Sequence, residues 1–72
     1  MKKIFKLIRL LSHYYPTYRI IITGVHIELK LSPKRNEDNE INWIVENDKE
    51  GKEKLRWSLE ETCRKHNLEH LI

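Results

Sequence analysis

Cys63, His66 and His70 form the one cluster in this chain with metal-ligand spacing. At i, i+3 and i+7 they would share a helix face, and a thiolate with two imidazoles suits zinc. A closed site needs a fourth ligand, which His13 or His26 would have to bring from another element. The set also requires the helix to run through Asn67, a residue type that readily takes the left-handed conformation ending helices. The plainer expectation is that Cys63 packs in the core and the histidines are surface groups, so neither metal nor cofactor is assigned. As a nucleophile Cys63 would need a depressed pKa and a base held by a third group, yet it shares its helical face with Leu55 and Leu59. The pair Glu60–Glu61 sits between Arg56 and Arg64 and reads as solvated charge. The two glycines, Gly24 and Gly51, are too far apart for a phosphate-cradling loop. The expected protein is not an enzyme, and no residue is assigned a catalytic role.

The charge pattern points to binding instead. Lys2, Lys3, Lys6, Arg9 and Arg19 precede the first acid, Glu28, whereas the rest of the chain holds nine basic and eleven acidic residues. A basic N-terminal part on a mildly acidic body suits an anionic partner: nucleic acid, an acidic protein or a membrane surface. For nucleic acid, the cations could track phosphates while Tyr14, Tyr15 and Tyr18 stack on bases, although no named nucleic-acid-binding motif is present. For a membrane, the apolar residues among the lysines have the right polarity, but they are also needed to cover a sheet.

With 72 residues the chain makes one small domain, 1–72, whose core is marginal by size alone. Small domains often add disulfides, metals or a partner chain. The single cysteine excludes an internal disulfide, which raises the standing of a partner protein or a second copy. Lys6 and Arg9 interrupt the first apolar run, no small-residue cleavage site follows, and no stretch reaches the ~18–20 apolar residues of a membrane span. The expected location is cytoplasmic.

These groups must be positioned by four or five elements. Ile4, Leu7, Ile8 and Leu11, widened by Phe5 and Leu10, predict a helix over 2–13, with Lys2, Lys6, Arg9 and His13 on the opposite side. Pro16 ends it. Residues 18–31 switch to strand chemistry, but Gly24 breaks the phase: Tyr18, Ile20 and Ile22 precede it, and Val25, Ile27, Leu29 and Leu31 follow at odd positions. Either Gly24 is a bulge in one bent strand or Thr23-Gly24 turns a hairpin. Residues 32–39 read as a polar turn or loop. Ile41, Trp43 and Val45 predict another strand, with Ile44 out of place on its polar face. Asn47 or Asp48 caps a final helix, and Glu50 could close a capping box with Asn47. Leu55, Leu59, Thr62, Cys63 and His66 share one side of it; Asn67 ends it and Leu68 folds back. The expected fold is α+β, ordered α-β-(β)-β-α: a two- to three-stranded antiparallel sheet packed on one face by the N- and C-terminal helices. Leu29 and Trp43 are expected core residues.

Trp57 is the anomaly. On a helical wheel it lies opposite Leu55, Leu59 and Cys63, beside Glu60, Glu61 and Arg64, and a chain folding back after the helix would bring Leu68 and Leu71 toward it. An exposed tryptophan beside an arginine and leucines has the composition of a binding hot spot, so Trp57, Arg64, Leu68 and Leu71 are the candidate protein-binding residues. Lys2, Lys3, Lys6, Arg9 and Arg19 are the candidates for nucleic acid or an acidic partner.

The element order, the size, the Lys/Ile/Asn-rich usage and the run Tyr18–Thr23-Gly24 after the first helix resemble small phage- or plasmid-encoded accessory proteins, including some anti-CRISPR inhibitors. The resemblance covers architecture alone and assigns no residue a role; the DNA-mimicking inhibitors are strongly acidic and this chain is basic. The expected function is a non-enzymatic module that docks on a protein, including a second copy of itself, to inhibit or regulate it. The alternative is a nucleic-acid-binding accessory protein.

Overall fold

The computed structural model describes residues 1–34 and 39–72. The order is α1 (Lys2–Leu11), β1 (Thr17–Ile22), β2 (His26–Ser32), β3 (Ile41–Glu46), α2 (Lys49–Lys65) and a 3-10 turn at Glu69–Leu71. The strands form an antiparallel meander in the order β1-β2-β3. This is the expected α+β layout with the optional strand present. Of the loop expected over 32–39, Ser32 ends β2, and 35–38 lie outside the described residues.

Alternation places three apolar rows on the helix-facing side of the sheet: Ile22–Ile27–Val45, Ile20–Leu29–Trp43 and Tyr18–Leu31–Ile41. Burial across each row is uneven. Ile27, Leu29 and Leu31 on the central strand are fully enclosed, and the β3 residues are half-buried. On β1, Ile20 is half-buried while Tyr18 and Ile22 keep 48% and 52% of their surface. The core is completed by Ile4, Leu7, Ile8 and Leu11 of α1 and by Leu55, Leu59 and Cys63 of α2. Trp43 packs against this cluster from the half-buried layer, not from within it as the sequence suggested.

The phase break at Gly24 is a hairpin. The Thr23 amide donates to the His26 carbonyl at 2.9 Å, and the Thr23 hydroxyl accepts from the His26 amide, also at 2.9 Å. That hydroxyl does the work a primed turn would do with positive φ; Gly24 does not adopt positive φ. Asn47 then ties the turn to the far side of the sheet. Its side-chain amide donates to the Thr23 carbonyl at 2.6 Å, and its backbone amide donates to the Val25 carbonyl at 2.8 Å.

With Asn47 so engaged, Asp48 is the N-cap of α2. Its carboxylate accepts from the Gly51 amide at 2.7 Å. The capping box from Asn47 to Glu50 does not form, because the position three residues past the cap is Gly51. At the other end Asn67 takes φ 60°, and the Leu68 and Asn67 amides reach the Cys63 and Arg64 carbonyls. This double closure is the expected left-handed stop, with Leu68 packed back on the core. The first helix is shorter than the sequence suggested: it stops at Leu11, where the Ser12 hydroxyl bonds the Arg9 carbonyl and the Tyr14 and Tyr15 amides bond that of Leu11.

The two helices lie side by side and run the same way. Met1, Lys3 and Ile4 share a shallow cleft with Lys49, Lys52, Glu53 and Arg56. At the opposite end Tyr14 stacks on His66, with ring centres 4.1 Å apart, and the Tyr15 hydroxyl sits 3.2 Å from His66 Nε2. Among the described residues no helix is long and apolar enough to cross a membrane.

Candidate functional site

The structure distributes the candidate residues over three surfaces. The first is the end of α2. Cys63 is fully buried beside Leu59, and burial pushes its thiol pKa up; Glu60 adds to that shift and Arg64 opposes it. A thiol held in its neutral form is a poor nucleophile. His66 is engaged by two tyrosines, and His70 stands exposed in the 3-10 turn beyond the Asn67 break. The break removes the continuous helix face that would have aligned all three residues. Among the described residues no three His, Cys, Asp or Glu side chains gather at metal-binding distance.

The second surface is around Trp57, which is 61% exposed on the outer side of α2. It lines a shallow cleft with Glu50, Glu53, Lys54, Arg56 and Ser58. Arg64, Leu68 and Leu71 do not line that cleft. Arg64 pairs with Glu61 and with Glu69, Leu68 packs on the core, and Leu71 is exposed in the terminal turn. Trp57→Ala should leave the fold intact, with a denaturation midpoint within about 0.5 kcal/mol of the parent, as for surface substitutions generally. Urea titration would check this; a loss above 2 kcal/mol would mean that the indole supports the core.

The third surface gathers most of the basic candidates with apolar ones. Lys2, Lys3, Lys6 and Arg9 are exposed on α1. Met1, Lys2, Phe5, Lys6 and Arg9 line one shallow depression. It continues through Phe5 and Arg9 into a cleft shared with Ile8, Ser12, Pro16 and Tyr18, which lies between the helix and β1. Arg19 is on β1 itself, on the opposite face of the sheet from Tyr18 and Ile20. Ion pairs among the described residues occupy Lys30, Lys54, Arg56 and Arg64, and none involves the α1 or β1 cations.

Among the described residues the strand beside this cleft is an open edge: β1 has β2 on one side and no strand on the other. The cations and Tyr18 were candidates from the sequence, which set Tyr18, Ile20 and Ile22 in one apolar row without showing that Tyr18 and Ile22 stay exposed. Their periodicity shows which face they take, and only the placement of the helices shows how much of that face is covered.

Comparison with protein-family models, with curated proteins and with solved structures found no match.

Proposed function

We propose that this chain is a non-enzymatic protein-binding module that inhibits or regulates a partner by occupying its surface through the β1 edge and the flank of α1. The observation that carries this reading is the concentration of uncovered apolar surface there. Tyr18 and Ile22 are exposed on the helix-facing side of the β1 edge, with Phe5 of α1 beside Tyr18, and Ile21 is exposed on the other face of the same strand; a contiguous exposed apolar patch of this kind marks an interaction surface. The candidate chemistry on α2 supports a binding role over catalysis, because its thiol is buried and its nearest imidazole is already engaged.

Nucleic-acid binding is the second reading. It is favoured by the row Lys2, Lys6 and Arg9 beside Phe5 and Tyr18, since cations with aromatic groups are the composition of a single-strand groove.

A pull-down from the source cell with and without nuclease separates the two, using the parent and a Tyr18→Ser/Ile22→Thr variant. Both changed side chains are half exposed, so the variant should remain folded. Protein docking expects a nuclease-resistant partner that the variant loses. Capture abolished by nuclease, with the variant behaving as the parent, would favour nucleic acid and sink the protein reading.

A further inference from the structure

The β1 edge is specific about what it can accept, and this inference rests on the protein-docking reading above. The Thr23–His26 bond closes the hairpin, and an antiparallel ladder alternates bonded and non-bonded pairs. Ile21, Arg19 and Thr17 therefore spend their amides and carbonyls on Glu28, Lys30 and Ser32. Tyr18, Ile20 and Ile22 turn theirs away from β2, toward the side of the sheet where the described residues place no strand. Three donors and three acceptors stand in a row at strand spacing, the template that strand addition uses. Pro16, which has no amide hydrogen, lies just before the strand and limits how far a ladder can run.

The side chains on either face of this edge state what an added strand would carry. On the helix-facing side it would lie along Tyr18, Ile20 and Ile22, with Phe5 and Arg9 of α1 above. On the other face its neighbours would be Arg19 and Ile21. Both faces thus offer apolar contact together with an unpaired cation. All acidic residues except Glu28 lie beyond residue 36, in or after the β2–β3 connection. We propose that the β1 edge takes an extended acidic segment of another protein, with apolar and carboxylate side chains in alternation, as a fourth strand of the sheet.

Charge argues against a second copy as the occupant. Pairing β1 with its own two-fold mate would set both α1 helices on the same sheet face. Lys2, Lys6 and Arg9 of one copy would then confront those of the other. Seating β3 of one copy on β1 of the next would not be self-complementary and would propagate without closing by two-fold symmetry.

Amide hydrogen exchange on the isotope-labelled full chain tests this, with a nine-residue peptide alternating valine and glutamate as probe. In the free protein the Tyr18, Ile20 and Ile22 amides should exchange fast and those of Arg19 and Ile21 slowly. Saturating peptide should slow the first three at least tenfold. An Arg9→Glu/Arg19→Glu variant, changed only at exposed positions, should keep the parent's circular dichroism and weaken peptide binding at least tenfold. The proposal is overturned if the three amides are unprotected at millimolar peptide, or if a valine–lysine peptide protects them equally. Protection that rises with protein concentration in the absence of peptide would assign the edge to a second copy. Protection by a 20-nucleotide single-stranded DNA in place of the peptide would overturn both this proposal and the protein reading. A nuclease-resistant protein partner that leaves the three amides unchanged would overturn strand addition alone and leave protein docking standing.

Discussion

Gly51→Ala should unfold this domain or leave it barely stable. Gly51 is buried in the first turn of α2, directly against the end of β3. A β-carbon placed there would overlap the Glu46 carbonyl oxygen and lie 2.8 Å from the Glu46 carbonyl carbon. The obstacle is main chain, so no rotamer change relieves it. In an ordinary helical position the same substitution would gain up to ~1 kcal/mol from helix propensity. Here the helix must lift from the strand, which pulls on the Asp48 cap and on the Asn47 bonds to the hairpin. Overpacking typically costs about 1–3 kcal/mol, with larger values on record, and a rigid backbone obstacle belongs at the upper end. A domain below ~80 residues rarely holds more than about 3–5 kcal/mol in total. Urea titration followed by circular dichroism should show the folded baseline lost or the midpoint collapsed, whereas Lys52→Ala, one residue further on and exposed, should be near neutral. A Gly51→Ala midpoint at or above the parent's would mean that α2 does not sit on β3 as described.

Leu29→Ala is the second substitution expected to be severe. Leu29 occupies the middle of the middle strand, between Ile20 and Trp43 in its row, and is wholly enclosed. Removing a fully buried leucine side chain costs about 2–5 kcal/mol, through lost transfer energy and the cavity left behind. Collapse to fill that cavity is restricted here, because the sheet is on one side and both helices are on the other. Thermal unfolding should therefore show little or no cooperative transition. Trp43→Ala should be milder than burial of a whole indole implies, because Trp43 is only partly enclosed at the β3 edge. Equal midpoints for Leu29→Ala and the parent would be incompatible with this core.

The surfaces that matter for binding follow from how two helices share three strands. Leu7, Leu11, Leu55 and Leu59 join Ile27, Leu29 and Leu31 of the central strand in one buried cluster. Coverage thins toward β1, and the apolar residues of its helix-facing row remain part solvated. An edge strand with free backbone groups and exposed isoleucines is a liability in a protein that works alone. The same geometry suits a protein that receives a strand. On the strand-addition proposal, the cations of α1 and Arg19, which make no ion pair among the described residues, would oppose pairing between copies and select an acidic guest.

Much of the architecture is local and so was legible in the residues themselves. The stripe Ile4–Leu7–Ile8–Leu11, the alternation Ile27–Leu29–Leu31 and the stop at Asn67–Leu68 each follow from the fixed periods of helix and strand and from the left-handed tolerance of asparagine. The outward position of Trp57 follows from the same periodicity. What lay beyond the sequence depended on partners distant along the chain. Asn47 could cap a helix or bond the hairpin, and the approach of Thr23 settled it. Gly24 could bulge or turn, and the Thr23 hydroxyl decided for the turn. Nothing around Gly51 in the sequence signals that the Glu46 main chain lies against it. The open edge of β1 has the same origin: alternation says which way Tyr18, Ile20 and Ile22 point, but coverage is a property of the packed layer. Only the tertiary structure shows that two helices suffice to seal β2 and not β1, because burial is shared among elements while periodicity belongs to each alone.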